Sequence, residues 1–326
     1  MQIEKYLSQY QPVIYKTFIN ALKSNHLSHA YLLSGASGMP LKETALYLAK
    51  SLLCDNPHPL ACNSCISCLR VDEGTYADII VIDGSENKIK KNEVTKIIEN
   101  FDKTSLEDKG IMIYVIHLVE MMTPVAINSL LKFLEEPGRN IYAFLTTENE
   151  SKVLPTIISR TQIMRFKSIP REKIIKDATE ENVQLEDAQL LSAFYSDGVS
   201  IKNMVESENY QLAKQALDDL LDGLLLDKGE AIYAMESHVI PSLKNVELVK
   251  LFLKMLALIY EDILNYSINE PLKLTTYSKI ISELAKRVKH IDKSLYIIMS
   301  STQKVDLNVN LGLLLDHVIC ELIAEE

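Results

Sequence analysis

The sequence predicts an α/β domain built on a parallel sheet, followed by a segment that is helical throughout. Short apolar segments rich in β-branched residues alternate with helical patterns in the first half, as in parallel sheets covered by helices on both faces. After about Phe166 the alternation stops, and beyond Arg171 only two prolines and four glycines occur. Because these residues interrupt helices, their scarcity predicts an all-helical second half.

The predicted strands and helices follow one another in regular order. Apolar segments predict strands at residues 30–33, 78–82, 111–116, 142–146 and 162–166. Helical patterns predict helices at residues 41–53, 92–103 and 124–135, with a short one near residues 153–158. A helical pattern therefore separates each strand from the next, which is the arrangement that parallel pairing requires.

Length and composition indicate an ordinary soluble globular protein with two or three domains. The chain has 326 residues, of which 47% are hydrophobic and 24% charged, and single cores rarely grow beyond about 250–300 residues. The first residues lack the basic start and apolar core of a signal peptide. No uncharged apolar run reaches about 18 residues. We therefore expect a cytoplasmic protein without a membrane span.

The net charge of −10 is unevenly distributed along the chain. Residues 1–165 carry 17 basic and 18 acidic groups, whereas residues 166–326 carry 17 and 26. Tight binding to a nucleic-acid backbone usually needs a basic patch. The second half is thus a poor candidate for a DNA-binding surface. Any nucleic-acid role is expected to be indirect or confined to a small part of the first half.

A degenerate phosphate-binding loop, residues 35–42, precedes the first of these helices. A working loop has the pattern G-x-x-x-x-G-K-[S/T], in which the lysine reaches the β- and γ-phosphates and the hydroxyl holds magnesium. Gly35 and Gly38 are present, but Pro40, Leu41 and Lys42 replace the second pattern glycine, the lysine and the hydroxyl residue. Proline also removes one amide donor and fixes its own φ. The loop predicts a nucleotide-binding scaffold that does not bind nucleotide.

The acidic motif that accompanies such a loop is also missing. In ATPases with this loop, a later strand ends in acidic residues that hold magnesium and polarise water. The strand predicted at residues 111–116 runs instead into His117 and Leu118. We interpret His117 as a strand-end histidine with a local hydrogen bond. Because two motifs are lost independently, they argue more strongly against ATP hydrolysis together than either loss does alone.

Four cysteines predict a metal site in the loop after the helix at residues 41–53. Cys54, Cys62, Cys65 and Cys68 have the spacing of a knuckle that brings four thiolates to one tetrahedral ion. An iron–sulfur cluster is the alternative, since C-x2-C-x2-C also occurs in ferredoxins. The fourth ligand lies upstream and no proline follows Cys68, which favours zinc over iron. The polar loop disfavours four unliganded buried thiols, and because nothing nearby resembles a catalytic base, we expect the site to be structural. Cys320, on the last helix, is interpreted as a small core residue.

Residues 248–265 give the clearest helical pattern of the second half. The polar residues occupy one narrow stripe of this helix: Lys250, Lys254, Glu261 and Asn265. Apolar residues cover the rest of its circumference: Leu248, Val249, Leu251, Phe252, Leu253, Met255, Leu256, Leu258 and Ile259. Such a helix lies either deep in a bundle or against another subunit. Both interpretations stay open, and we expect the segment after about residue 208 to hold the protein in a complex.

The motifs together resemble the clamp-loader branch of the AAA+ ATPases. The segment MMTPVAINSLLKFLEEP at residues 121–137 is the most specific match. HAYL at residues 29–32, the four-cysteine insertion and ISRTQ at residues 158–162 are similar to the same branch. These matches cover roughly residues 25–170. Beyond them, NLGLLL at residues 310–315 is similar to the family's C-terminal collar segment.

The resemblance implies a three-domain architecture. It implies an AAA+ P-loop-type domain over residues 1–166, with a zinc module at about residues 54–70. A small helical lid domain over residues 167–207 and an all-α collar domain for oligomerisation over residues 208–326 would follow.

The resemblance also implies a role for Arg160. In the family, a Ser-Arg-Cys motif places an arginine at a subunit boundary, where it reaches the γ-phosphate of ATP held by the neighbour. Ser159 and Arg160 match this motif, while Thr161 stands at the usual cysteine. The alternative for Arg160 is an ordinary surface salt bridge.

Taken with the lost motifs, the resemblance implies a non-hydrolysing subunit of the DNA polymerase III clamp loader. Its implied partners are the ATPase subunits and the delta subunit of a hetero-oligomer, the sliding clamp, and primed DNA through the complex. Structural Zn²⁺ is the expected cofactor, and bound ATP is not expected. One alternative is an active ATPase that uses Lys42 in an atypical loop. Another is a metal-dependent redox or regulatory module.

Overall fold

A computed structural model describes residues 3–85, 87–101, 105–136, 138, 140–307 and 309–325. The chain divides into two compact units, Met1–Ile169 and Pro170–Glu326. The α/β and all-helical halves expected from the sequence are both present, so the predicted fold class is confirmed. The further division of the second half at residue 207 stays a prediction.

The described part of the first unit holds seven α-helices and five strands. The strands are β1 (Ala30–Ser34), β2 (Ile79–Asp83), β3 (Met112–His117), β4 (Ile141–Thr147) and β5 (Gln162–Arg165). The helices are α1 (Ile3–Tyr10), α2 (Pro12–Lys23), α3 (Leu41–Leu53), α4 (Ile66–Asp72), α5 (Lys91–Phe101), α6 (Pro124–Glu135) and α7 (Pro155–Ile158). Every predicted strand is found within one or two residues, and α3 and α6 have the predicted bounds. Residues 102 and 103 of the predicted helix 92–103 lie outside the described residues.

The five strands form one parallel sheet in the order β2-β3-β4-β1-β5. The register pairs Leu32 with Leu145 and with Ile163, so β1 lies between β4 and β5. Because the strands are parallel, their carboxyl ends meet at one edge of the sheet. The phosphate-binding loop follows β1 at this edge, and His117 ends β3 there.

Alternate strand residues face two separate hydrophobic clusters. Tyr31 and Leu33 of β1 belong to the cluster that α1, α2 and α3 cover. Ala30 and Leu32 belong to the opposite cluster, which buries Val94 of α5 together with residues of α6 and α7. Successive side chains of a strand point to opposite faces, so a sheet covered on both sides needs the continuous apolar segments seen in the sequence.

The second unit is helical throughout its described residues. Its α-helices are α8 (Arg171–Glu180), α9 (Leu185–Leu191), α10 (Gly198–Val205), α11 (Glu208–Leu226), α12 (Lys228–Ala234), α13 (Ile240–Ser242), α14 (Val246–Ser267), α15 (Ser278–Leu284), α16 (Ile291–Lys304) and α17 (Leu311–Ala324). Side-chain oxygens cap five of them: those of Asp197, Ser207, Asp227, Asn245 and Asn310 accept backbone N–H groups of the first turns of α10, α11, α12, α14 and α17. Among the described residues, no helix is both long and apolar enough to cross a membrane.

The predicted helix at residues 248–265 is an interior helix of this unit. It is α14, which packs against α11, α15 and α16, and Phe252, Met255 and Ile259 on it are fully buried. Of the two interpretations of its apolar circumference, burial in the bundle is the one observed. The helix therefore gives no support to the expectation that it supplies a subunit contact.

The prediction for Cys320 is wrong. Cys320 is exposed on α17, whose buried residues Leu315, Val318, Ile319 and Leu322 form a stripe on the other side. The helical period places residue 320 next to Leu313, which is itself 68% exposed. The apolar residue Leu313 on the same helix face therefore did not indicate that Cys320 is buried.

Candidate nucleotide, metal and arginine sites

The phosphate-binding loop is closed by its own side chains. A Cβ atom at Gly35 would lie 2.9 Å from the Met39 sulfur and 3.1 Å from a Leu41 methyl carbon. Leu41 is 1% exposed and belongs to the cluster beneath α3. Gly38 has a φ of +84° and supplies the left-handed turn of the loop. The residue at the lysine position therefore points into the core, where it cannot reach a phosphate.

Lys42, one position later, is held by an acidic partner within the chain. Its ammonium group donates to and pairs with Asp83 at the end of β2. Asp83 also accepts the backbone N–H of Ser85 at 2.9 Å. Partial burial raises the pKa of Asp83, but the hydrogen bonds from Lys42 and Ser85 outweigh it and lower the pKa to about 2. The ammonium group thus already has a carboxylate at this edge of the sheet.

His117 and Leu118 stand at the positions where an ATPase has its acidic residues. Both interact with β4 instead. His117 Nδ1 lies 2.7 Å from the Thr146 hydroxyl, and the Leu118 amide donates to the same oxygen at 3.0 Å. Burial is the main cause that lowers the pKa of His117. A half-buried neutral imidazole with a hydroxyl partner fits the expected strand-end histidine with a local hydrogen bond. The pairing with Thr146 could not be read from the sequence, because the two residues lie on neighbouring strands.

The four cysteine sulfurs converge as the spacing predicted. All four lie within 4.8 Å of one another, and the Cys54–Cys65 and Cys62–Cys68 pairs are each 4.0 Å apart. A tetrahedral ion with Zn–S bonds of about 2.3 Å places its sulfurs about 3.8 Å apart. The donor set therefore fits one tetrahedral metal ion.

Backbone amides surround the four sulfurs. The N–H groups of Cys62, Cys65 and Cys68 donate to the sulfurs of Cys54, Cys62 and Cys65, at 3.3–3.4 Å. Hydrogen bonds from Ser64, then from the Cys65 amide, lower the pKa of the Cys62 thiol to about 6. Burial raises the pKa of Cys54 and Cys68. Such amides stabilise thiolates, the form that binds metal.

Arg160 lies at the end of α7 in an open depression on the first unit. Its guanidinium donates to Glu135 at 2.7 Å and to the Thr156 carbonyl at 3.0 Å. The Ser159 hydroxyl donates to the same carbonyl at 3.1 Å. Thr161, at the usual cysteine, bonds the Ile157 carbonyl and so closes the last turn of α7. The surface salt bridge named as the alternative for Arg160 is therefore present.

Comparisons with known proteins agree with this arrangement. A family model described as DNA polymerase III, delta subunit, matches residues 10–170. The delta' subunit of DNA polymerase III from Bacillus subtilis (strain 168) is 29% identical over 320 residues, which cover 97% of either chain. This chain belongs to the DNA polymerase III clamp-loader family. The resemblance inferred from the motifs is thereby confirmed.

Other DNA polymerase III subunits are similar to this chain over different shares of its length. The tau subunit of DNA polymerase III from B. subtilis (strain 168) is 35% identical over 196 residues, which are 58% of this chain and 34% of tau. A crystal structure of a DNA polymerase III gamma subunit-related protein from Thermotoga maritima has the same fold. It aligns with a TM-score of 0.54 at 17% identity and covers 94% of this chain and 99% of its own.

Proposed function

We propose that this clamp-loader family member is a delta'-like subunit that does not bind or hydrolyse ATP. It works in a hetero-oligomer with the ATPase subunits and the delta subunit, which together place the sliding clamp on primed DNA. The support is the full-length similarity to a delta' subunit together with the state of the phosphate-binding loop. A replication role is consistent with the cytoplasmic location expected from the sequence.

The main support for the loss of ATP binding is the burial of Leu41 beside Gly35. In a working loop the amides and the lysine surround the phosphates, whereas here Met39 and Leu41 occupy the space against Gly35. The alternative of an active ATPase needs Lys42 to serve the phosphates. Lys42 is paired with Asp83, and residues 117 and 118 offer no carboxylate for magnesium. Both requirements of that alternative are therefore unsupported.

The cysteine site is proposed to hold structural zinc. Four thiolates complete the coordination shell and leave no open position for substrate, as in structural zinc sites. When bound, the ion would link α3, which ends before Cys54, to α4, which Cys65 caps. A redox or regulatory cluster is the second candidate for the same cysteines, and visible absorbance of the purified protein distinguishes it from colourless zinc.

Arg160 is proposed to act in trans on the ATP of a neighbouring subunit, with Ser159 as part of the same motif. Its salt bridge to Glu135 joins side chains that are 33% and 51% exposed. Exposed pairs of this kind contribute only about 0–1 kcal/mol, so an incoming phosphate can replace the carboxylate at little cost. Glu135 would then orient the arginine before the subunits meet.

Calorimetry with ATP and magnesium tests the proposed loss of nucleotide binding. We expect no hydrolysis and no binding in the micromolar range by the isolated protein. Micromolar, magnesium-dependent binding would show that the loop opens, and the active-ATPase alternative would then stand. Identification of proteins that co-purify from cell extract tests the proposed partners separately.

A further inference from the structure

A second polar cavity lies in the first unit, and its lining includes no residue of the phosphate-binding loop, no cysteine and not Arg160. It has a volume of about 820 Å³ and lies between α1, α3 and the cysteine loop. Glu4 and Lys5 of α1 line one side, while Glu43, Tyr47 and Lys50 of α3 line the other. The clamp-loader role described above uses none of these side chains.

The floor of the cavity is polar and almost completely buried. Tyr47 and Lys50 are 5% and 6% exposed. The Lys50 ammonium donates to both oxygens of Asp72, at 2.7 and 2.8 Å, so its charge is satisfied. The Tyr47 hydroxyl makes no hydrogen bond of normal geometry with any described residue, and burial, then the nearby Glu4 carboxylate, raise its pKa. Such a buried hydroxyl is costly without a partner, and a ligand group in the cavity would supply one.

The charges around the cavity favour a cation. Glu4, Glu43 and Asp72 contribute three negative charges, and Lys5 and Lys50 two positive ones. Since Asp72 already neutralises Lys50, an entering group meets two carboxylates and one lysine. Glu4 accepts the Tyr15 hydroxyl at 3.0 Å, which fixes this carboxylate at the rim. Glu43 is exposed and has no ion pair among the described residues. The lining thus carries a net negative charge.

The aromatic rings favour a planar cation. Tyr15 and Tyr47 both line the cavity, and the Lys50 ammonium lies 5.7 Å from the centre of the Tyr47 ring. One ring of the cavity thus already contacts a positive charge. A guanidinium stacks on such rings, and its five N–H groups suit a phenolic oxygen and two carboxylates together.

We propose that this cavity binds an exposed arginine side chain of a partner protein. The guanidinium donates to the Tyr47 hydroxyl oxygen and pairs with Glu4 and Glu43. The partner is thus recognised through a basic residue at a site next to the cysteine loop. The proposal stands whether or not the chain binds ATP or donates Arg160, because those sites share no side chain with the cavity.

A peptide titration of the full-length protein tests the proposal. The probe is acetyl-Gly-Arg-Gly-amide, with acetyl-Gly-Gln-Gly-amide as the neutral control. Ring signals of Tyr15 and Tyr47 are followed by NMR and assigned through the Tyr15→Phe and Tyr47→Phe variants. We expect saturable shifts of both signals with the arginine peptide and at least tenfold weaker binding of the glutamine peptide. Equal binding of the two peptides would overturn the proposal.

Variants separate recognition from folding. Glu43→Gln and Glu4→Gln should each lower the affinity for the arginine peptide roughly three- to tenfold. This is the range expected for one charged contact at a partly open site. Glu172→Gln, an exposed carboxylate of the other unit, is the matched control and should bind as wild type. Thermal melting confirms that each variant is folded. Unchanged affinity in Glu43→Gln, or shifts of the same signals by inorganic phosphate, would contradict a cation site.

Discussion

Among single residues, Leu41 and Lys42 do most to close the phosphate-binding loop to phosphate. The sequence showed that neither stands where a working loop needs it. It did not show that Leu41 enters the core or that Lys42 pairs with Asp83, which lies 41 positions further along the chain. Contacts between residues so far apart depend on the strand order, which a single sequence does not give. The departure from the working pattern was therefore visible in the sequence, but the contacts that Leu41 and Lys42 make instead were not.

The Lys42–Asp83 pair should stabilise the fold in a pH-dependent way. The folded pKa of Asp83, about 2, is below its unfolded value of about 3.9. Its contribution is therefore complete above about pH 4 and is lost as the pH falls toward 2. Because both side chains are about one-third exposed, Asp83→Asn should cost only about 1 kcal/mol at pH 7. Urea unfolding at pH 7 and pH 3 should show this difference shrinking at the lower pH.

The matched control for this pair is Glu283→Gln, which removes an exposed carboxylate paired with Lys286. It should unfold close to wild type at both pH values. An Asp83→Asn difference that stays constant, or grows, at pH 3 would mean that the pair does not hold the carboxylate ionised.

Removal of one cysteine should abolish tight metal binding. Cys65→Ser leaves three thiolates and also alters the cap of α4, so bound zinc should fall well below one equivalent. Residues 54–70 should become sensitive to protease, while the sheet persists because one of its faces packs on a cluster without any residue of the cysteine loop. Metal analysis and limited proteolysis measure the two effects. Cys320→Ser, on an exposed cysteine, is the control and should keep one zinc per chain.

Iron with sulfide in the wild-type protein, or full zinc occupancy in Cys65→Ser, would contradict the proposed site. Global unfolding of Cys65→Ser would show that the cysteine loop is integral to the α/β unit.

At the scale of elements, the strands of the first unit were predicted best. Each is a continuous apolar segment, because both faces of the sheet are covered, and such segments stand out from the surrounding helices. Helices α1, α2 and α4 were missed. Ile3, Tyr6 and Leu7 of α1 are buried at helical spacing, and Pro12 begins α2, so a signal was present. The seven residues of α4 are too few for periodicity to reveal a helix.

Restoring the loop pattern should not restore an ATPase. The triple change Pro40→Gly, Leu41→Lys and Lys42→Thr places a lysine where Leu41 is 1% exposed and breaks the pair with Asp83. We expect a loss of stability of about 2–5 kcal/mol. No hydrolysis should appear, because His117 and Leu118 cannot hold magnesium. Chemical unfolding and a phosphate-release assay check both results. Measurable turnover by this variant would show that the acidic motif is dispensable.

At the scale of the whole molecule, contacts join the predicted lid to the predicted collar. Glu186 of α9 pairs with Lys214 of α11 at 2.6 Å, and the Gln189 amide donates to Thr275 at 2.7 Å. A cut near residue 207 would expose these groups and remove Lys214 and Thr275, the partners of Glu186 and Gln189 on α9. That the helices after residue 208 hold the protein in a complex stays a prediction, and the interior position of α14 gives it no support.

A chain that ends at Ile169 is therefore the better test of assembly. It contains the whole first unit, including the sheet and the four cysteines. We expect it to fold, bind one zinc and fail to co-purify with clamp-loader subunits that retain the full-length chain. Circular dichroism, metal analysis and pull-down measure these outcomes. Undiminished assembly by the shortened chain would place the main subunit contact in the first unit.

We propose above that this chain, without a working nucleotide site of its own, contributes Arg160 to the ATP site of a neighbouring subunit. Steady-state ATP hydrolysis by the reconstituted loader, with clamp and primed DNA, tests it most directly. Arg160→Ala should leave folding, zinc content and assembly intact, because the side chain is partly exposed and bonded only at the surface. Arg165→Ala, which removes another surface arginine paired with a glutamate, is the matched control.

We expect Arg160→Ala to lower the clamp-stimulated ATPase rate partially, since other sites in the ring keep their own arginines. An arginine of this kind can be worth about 10³–10⁵ in rate at its own site. Arg160→Lys should restore little of the lost ATPase rate, because an ammonium cannot reproduce the bidentate contact of a guanidinium with phosphate. Arg165→Ala should hydrolyse ATP at the wild-type rate. A wild-type rate in Arg160→Ala would leave Arg160 with only its surface salt bridge to Glu135 and would contradict its proposed action on a neighbour's ATP.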